Sequence, residues 1–409
     1  MPVNANSAAW LNSTGANLGR KLHPDFGPPA YGIPFNVVSS SHATTTFTFL
    51  YATESDPGLY PYGSDLAIEA PTDSHLLTIN KDTCKLYETG GTNYNGPSTA
   101  WAGAIFDLTS NQLRPNTWTS ADAAGLPIFP GLVRLDEVQA GFIGHAIRFT
   151  VQRSDTSYLW PARHQAGATS DPTLPPMGAR FRLKAGYDIS GYSPQAQVVL
   201  TAFKHYGLIV ADNGSNWFFQ GSVDPGWANP PYDSVISGLK NVPANQFEAI
   251  DESSLMVDPN SAQAGTAPAA PTAPAAAPRD AAATVSWTAP ATGGQPIVSY
   301  TIIGTPSGQA IVGGASTTAV VFGLTNGTPY TFTVTATNVI GTGPPSPASN
   351  AVIPDHRLTG QSAPPPIGTR SGANQSTTRA PGPRVPRGPQ LAAASPPVGA
   401  LPRILFLRL

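Results

Sequence analysis

The chain has 409 residues, of which 40% are hydrophobic and only 11% are charged. This length and apolar content exclude a wholly disordered protein and leave room for two domains. The small share of charged residues, together with 40 Gly and 44 Pro, is typical of β-proteins in which tight turns join short strands. The single cysteine, Cys84, excludes an intramolecular disulfide and a cysteine zinc cluster.

The net charge of −2 conceals an uneven distribution along the chain. Residues 1–263 contain 14 Lys and Arg against 22 Asp and Glu, whereas seven Arg and one Asp follow residue 354. The acidic first part argues against a nucleic-acid partner, because phosphate binding needs clustered cations. No apolar run reaches the ~18 residues that a membrane span requires. Motifs for nucleotides, zinc or calcium are absent, so the sequence indicates no cofactor and no metal.

Residues 1–257 are predicted to form a mainly β domain with one or two short helices. Alternating or continuous apolar runs predict strands over residues 44–51, 75–80, 101–108, 145–153, 179–185, 208–212 and 217–221. A helix is predicted from Ser193, which supplies an N-cap before Pro194, to Gly207, which ends it. The Asn213-Gly214 turn predicts a hairpin between the last two of these strands.

Residues 258–266 are predicted to be a linker, and residues 267–354 a β-sandwich. Ala283, Val285 and Trp287 alternate with polar residues, which predicts a half-buried strand. The same alternation recurs from Tyr330 onward, and Leu324 precedes that tyrosine across a turn, as in a tyrosine corner.

The segments SWTAP, SYTI and GLTNGTPYTFTVTATNVIGTGPPS resemble a fibronectin type III domain of the bacterial kind. The resemblance implies a seven-stranded, immunoglobulin-like sandwich with Trp287 and Tyr330 buried, and an accessory role. Residues 355–409 are rich in Pro and Arg and are predicted to be a disordered tail. Two alternatives remain for this tail. Its last nine residues, LPRILFLRL, form a sorting signal, or the tail is an out-of-frame reading of a GC-rich gene.

The segments YGIPF, ESDPG, HAIRFTV, YLWPARH and PPMGARFRLKAGYDISGY resemble a family of secreted bacterial proteins that often carry C-terminal fibronectin type III modules. The resemblance spans residues 1–257 and implies an extracellular or cell-surface location. It supplies no catalytic residue, because no activity is established for that family. No signal peptide is visible in MPVNANSAAW. Proteins of that family usually begin with a signal peptide and a short lead before the segment that matches PVNANSAAW, so the resemblance implies a truncated N-terminus.

Five residues of the first domain are predicted to form a functional site. His145, His164 and Asp212 are candidate acid–base catalysts, because they lie at strand ends or on a proline-containing loop. Trp160 is a candidate platform for a sugar ring, and Arg163 a candidate partner for an acidic sugar. The alternatives are a satisfied core histidine at His145 and an aspartate at Asp212 that caps its own turn.

Two classes of function fit this pattern. Six of the seven tryptophans lie in the acidic first domain, and aromatic faces with paired carboxylates are typical of proteins that act on polysaccharide. We therefore expect a polysaccharide or cell-surface glycan as partner and, if the protein is an enzyme, a glycoside hydrolase or polysaccharide lyase. The absence of a named catalytic motif supports the alternative of a non-catalytic adhesion or structural extracellular protein.

Overall fold

A computed structural model describes residues 1–28, 31–69, 73–93 and 97–360. These residues form a mainly β protein with a few short helices, and the predicted fold class is confirmed. The tail predicted over residues 355–409 lies outside the described residues from residue 361 onward. In its described part, His356–Gly360 form a 3-10 helix. No described helix is long and apolar enough to cross a membrane.

The first part of the chain contains fourteen of the described strands and all four described α-helices. The strands are β1 (His23–Asp25), β2 (Phe35–Val38), β3 (Thr44–Thr45), β4 (Thr48–Phe49), β5 (Tyr60–Pro61), β6 (Leu76–Asn80), β7 (Lys85–Gly90), β8 (Thr99–Ala100), β9 (Ala102–Asp107), β10 (Ile147–Val151), β11 (Arg180–Leu183), β12 (Leu208–Asn213), β13 (Phe218–Gln220) and β14 (Phe247–Ile250). The helices are α1 (Ser7–Ser13), α2 (Leu135–Gln139), α3 (Pro194–His205) and α4 (Val235–Leu239).

The larger sheet has the strand order β1-β13-β10-β12-β11-β14. Strand β10 runs parallel to β12 and antiparallel to β13, so it lies between them. The predicted hairpin between β12 and β13 is therefore wrong. After β12 the chain crosses the end of β10, where Gly214 N–H donates to Val151 and Trp217 N–H donates to Thr150. Trp217 has a φ of 68°, which turns the chain back along the far side of β10.

One face of this sheet is apolar, and the other carries polar side chains on β10 and β13. Phe149 and Phe219 belong to the main hydrophobic core, where Phe203 of α3 packs against Phe219 with ring centroids 5.2 Å apart. Helix α3 begins as predicted, since the Ser193 side chain accepts a hydrogen bond from Ala196 N–H. Side chains alternate along a strand, so Arg148, Thr150, Phe218 and Gln220 lie on the opposite face. This polar face lines the site described below.

A second sheet, ordered β2-β6-β7-β9, has its own core. Leu77, Leu86 and Phe106 from its strands pack with Ile128 and Phe129 from the segment that precedes α2. The predicted strand over residues 44–51 is interrupted, since β3 and β4 pair with different partners, β5 and β8.

The second part of the chain is a sandwich of two three-stranded sheets. Its strands are β15 (Ala275–Arg279), β16 (Ala282–Ser286), β17 (Ile297–Thr305), β18 (Gln309–Gly313), β19 (Thr318–Phe322) and β20 (Thr331–Asn338), ordered β15-β16-β19 and β18-β17-β20. Trp287 and Tyr330 are buried in the core between the sheets.

The domain has six strands, whereas seven were expected. The segment that follows β20 runs along that strand without the regular pairing of a seventh strand. Pro344, Pro345 and Pro347 have no N–H to donate. The hydroxyls of Ser346 and Ser349 instead accept hydrogen bonds from the backbone N–H groups of Val334 and Phe332.

The tyrosine corner predicted from the sequence is present. Tyr330 is 2% exposed, and its hydroxyl accepts a hydrogen bond of 3.1 Å from Thr325 N–H. Replacing Tyr330 by Phe should lower the free energy of unfolding of this sandwich by about 1 kcal/mol, the net value of one such hydrogen bond. Chemical denaturation followed by circular dichroism measures this. An unchanged midpoint would show that the corner does not stabilise the fold.

Candidate functional site

The polar face of the larger sheet and the segment that leads into β6 of the second sheet border a cleft of about 270 Å³. Strands β10, β12 and β13 supply Arg148, Asp212 and Gln220, and the segment before β6 supplies Glu69 and His75. The remaining lining residues are Asp25, Ile33, Asp73, Thr150, Asn213, Gly214, Ser215 and Phe218. We call this the acidic cleft, because carboxylates outnumber basic side chains in its lining.

A buried arginine in the cleft lining forms an ion pair with a buried carboxylate outside the lining. Arg148 is 4% exposed, and its Nε and one terminal nitrogen both lie 3.0 Å from Oδ2 of Asp122. Burial raises the pKa of Asp122 to about 6, against the opposing charge of Arg148. Burial also raises the pKa of Asp212, which Arg148 offsets only in part. Asp212 is therefore a carboxyl group that holds a proton more strongly than an exposed aspartate does.

The other wall of the cleft carries a histidine–carboxylate pair. Nδ1 of His75 lies 2.5 Å from Oε2 of Glu69, and Nε2 of His75 contacts the Ala121 carbonyl at 3.2 Å. Burial would raise the pKa of Glu69, but the hydrogen bond and charge of His75 outweigh it and lower that pKa. Burial would lower the pKa of His75, but the hydrogen bond and the charge of Glu69 outweigh burial and raise that pKa. The cleft thus brings together carboxyls with opposite pKa shifts, at Asp212 and Glu69.

Hydrogen-bonding groups and one aromatic ring complete the lining. Asp25 accepts a hydrogen bond from the Tyr31 hydroxyl and a weaker one of 3.5 Å from Gln220 Nε2. Phe218 is half-buried and stacks on His23, with ring centroids 3.9 Å apart. Such a combination of acceptors, donors and one apolar face is suited to a polyhydroxylated ligand.

Of the predicted catalytic residues, only Asp212 lines the acidic cleft. Its Oδ1 also accepts a hydrogen bond of 2.7 Å from Asn213 N–H, the local contact expected of a turn aspartate. His145 precedes β10, whereas Asp212 pairs with Thr150 near the far end of that strand. At about 3.3 Å per residue, His145 is about 16 Å from Thr150 along the strand. The structure therefore does not bring these two residues together.

The two histidines have local partners instead. Nε2 of His145 lies 3.0 Å from Oε2 of Glu137, and its Nδ1 contacts the Ala146 carbonyl at 2.9 Å. His164 contacts the Ala123 carbonyl through Nδ1 at 2.9 Å, and its Nε2 lies 3.8 Å from Glu54. His145 thus fits the alternative of a satisfied core histidine.

Trp160 and Arg163 hold the segment that was predicted to be a linker. Trp160 donates from Nε1 to the Ser261 carbonyl at 2.8 Å. The Arg163 guanidinium donates to the Pro259 carbonyl at 2.8 Å and to Asn260 Oδ1 at 3.1 Å. Trp160 also lines a second cavity of about 300 Å³, together with Asn4, Tyr158, Leu159, Gly178, Arg180, Ile250, Asp251, Glu252, Ser253 and Met256. Neither side chain lines the acidic cleft.

Sequence reasoning missed most of the cleft. Glu69, His75, Arg148 and Gln220 were not singled out, although Arg148 lies between the apolar residues Ile147 and Phe149 of a predicted strand. A charged residue at a buried strand position is the signal that could have indicated it. Among the described residues, no cluster of His, Cys, Asp or Glu has the arrangement of a metal site.

Comparison with known families identifies the second part of the chain. Residues 268–352 match the family model of the fibronectin type III domain, and this part of the chain is such a domain. The match lies inside the module predicted over residues 267–354. Comparison with curated proteins finds no match.

Several solved structures are similar to part of the chain. The chicken CNTN1 FN1–FN3 domains are 27% identical over 22% of this chain and 33% of that one, with a TM-score of 0.20. Titin kinase with its flanking domains is 29% identical over 22% and 17%, with a TM-score of 0.19. The twitchin kinase region from C. elegans is 25% identical over 22% and 17%, with a TM-score of 0.20. This chain spans about a third or less of the length of each.

Proposed function

We propose that this chain is an extracellular or cell-surface protein of bacterial type that acts on polysaccharide through its acidic cleft. The fibronectin type III domain then serves as an accessory module, a use that suits a domain common in extracellular proteins. The observation that carries the proposal is that Asp212, whose pKa is raised, and Glu69, whose pKa is lowered, line the same cleft. Such a pair divides the roles of acid and base.

The reaction class that suits this pair is glycoside hydrolysis. Protonated Asp212 donates its proton to the glycosidic oxygen as the bond to the sugar carbon breaks. Ionised Glu69 accepts a proton from the water that attacks the same carbon. Both carboxyls return to their starting states by proton exchange with solvent. The lyase alternative is less well supported, because an anionic sugar would meet an acidic cleft, and Arg163 binds Pro259 and Asn260 elsewhere.

Replacing Asp212 by Asn should lower turnover by about 100-fold, because general acid catalysis contributes at least this factor. The assay measures reducing ends released from neutral, amino and uronic-acid polysaccharides, together with the absorbance of unsaturated products. Turnover should fall as the pH drops through the pKa of Glu69 and as it rises through that of Asp212. The control is His164→Ala, which changes a residue outside the cleft and should retain activity.

The assay also separates the two classes of function. Binding without turnover, in folded protein, would favour a non-catalytic adhesion protein. Neither binding nor turnover would favour a structural role. Full turnover by the Asp212→Asn variant would contradict the role assigned to this carboxyl group.

A further inference from the structure

The acidic cleft carries more negative than positive charge at its surface. Its lining carboxylates are Asp25, Glu69, Asp73 and Asp212. The two basic side chains, Arg148 and His75, are already committed to partners, since Arg148 pairs with Asp122 and His75 with Glu69. Arg148 also acts on Asp212, so among the described residues Asp25 and Asp73 are the lining carboxylates that no cation pairs with. A ligand that enters the cleft meets a surplus of hydrogen-bond acceptors that bear negative charge.

A buried acceptor in the same lining lacks a donor. Gln220 is 6% exposed, and its Oε1 has no hydrogen-bond partner. The Nε2 atom of the same amide contacts Asp25 at 3.5 Å, which fixes the amide orientation, because the reverse would place two acceptors together. An unpaired buried carbonyl costs free energy unless a ligand supplies the donor. This observation is independent of the carboxylates and points to the same kind of ligand.

We propose that the ligand of the acidic cleft is a glycan that carries primary amines, such as a polymer of glucosamine without its acetyl groups. This inference rests on the proposed function and names the substrate class of the same site. An ammonium group has three donors and no acceptor, so it can bind Gln220 Oε1 and neighbouring carboxylates together. A uronic-acid glycan would place like charges together, and an N-acetylated glycan would leave the surplus charge unpaired.

Calorimetric titration of the full chain with three matched tetrasaccharides tests the inference. The probes are a glucosamine tetramer, its fully N-acetylated form and a galacturonic-acid tetramer, at pH 5.5. We expect the free amine form to bind at least about tenfold more tightly than the acetylated form, because hydrogen bonds from a charged ammonium group are stronger than those from a neutral amide. Its affinity should fall with added salt.

Two variants locate the binding within the cleft. Gln220→Met keeps the length of the side chain and removes the acceptor, and should weaken binding of the amine form by about tenfold. Asp25→Asn removes one charge from the cleft and should also weaken binding of the amine form by about tenfold. This second variant tests the site if Gln220→Met does not fold. Asp188→Asn is the matched control, since it removes one charge from an exposed loop and should leave the affinity unchanged.

The outcomes separate this inference from the proposed function. Equal or tighter binding of the acetylated or uronic-acid tetramer would overturn the preference for amines and leave a polysaccharide ligand standing. Amine binding that both cleft variants retain would overturn the assignment to this cleft. Binding of none of the three glycans would overturn the preference for amines, and the reducing-end assay on neutral polysaccharides would then decide the proposed function separately.

Discussion

Replacing Arg148 by Met is expected to lower the free energy of unfolding by about 3–5 kcal/mol, the cost of breaking a buried ion pair from one side. Met retains most of the aliphatic stem of Arg, and the double variant below separates the effect of the charge from that of packing. Asp122, which is 1% exposed, would keep its carboxylate in the protein interior without the cation that now lies 3.0 Å away. Urea denaturation followed by circular dichroism at pH 8 measures this effect.

The loss should depend on pH in a defined direction. Burial raises the pKa of Asp122 to about 6 in the folded protein, above the ~3.9 of an unfolded aspartate. Protonation of Asp122 therefore favours the folded state, and this contribution is lost as the pH rises through the folded pKa. Removing Arg148 raises that pKa further, so Arg148→Met should be more destabilising at pH 8 than at pH 5.

A double variant provides the control for this prediction. Arg148→Met combined with Asp122→Asn removes both charges and should recover part of the stability at pH 8. Equal destabilisation at both pH values, with no recovery in the double variant, would mean that Arg148 acts through packing rather than through its charge.

Replacing Trp287 by Ala is expected to destabilise the fibronectin type III domain by about 3–5 kcal/mol, as for other large aromatic residues removed from a core. Trp287 is 7% exposed, and its ring centroid lies 5.1 Å from that of Tyr300. Residues 267–354, expressed alone, should give a cooperative thermal transition that this substitution shifts to lower temperature. Circular dichroism is the suitable measurement, because the substitution removes the single tryptophan of this domain.

The matched control is Phe322→Ala in the same domain. Phe322 ends β19 and is 74% exposed, so its removal should change stability by no more than about 0.5 kcal/mol. A fragment that does not fold would contradict the independent folding of this domain, and equal losses at the two positions would contradict the view that Trp287 stabilises its core.

The sequence was most informative where local patterns determine the structure. Alternation from Tyr330 and a capped helix from Ser193 predicted β20 and α3 because each pattern depends only on neighbouring residues. The Asn213-Gly214 turn predicted a hairpin, because tight turns usually join adjacent strands. Here β10, more than fifty residues earlier in the chain, lies between the two strands. A pairing that depends on a distant segment leaves no trace in the turn itself.

The candidate site was harder to predict for the same reason. Asp212 was identified from its place at a strand end, which is a local property. Its neighbours in the cleft, among them Glu69 and Gln220, come from segments more than 100 residues apart. His145 and Arg163 had the residue types expected of a site, but Glu137 and the segment around Asn260 already satisfy their polar atoms. Residue type alone does not distinguish a polar side chain that lines a cleft from one whose polar atoms are already hydrogen-bonded within the fold.

The contacts made by residues 258–266 affect where the chain can be divided. Ala262 is buried in the core of the second sheet, and Leu113 N–H and Ala262 N–H exchange hydrogen bonds with Asn260 and Asn111 carbonyls across this segment. A fragment that stops at residue 257 would lose this buried methyl group and leave the Arg163 cation without two of its acceptors. A fragment that extends through residue 266 retains both, and is the better choice for preparing the first domain alone.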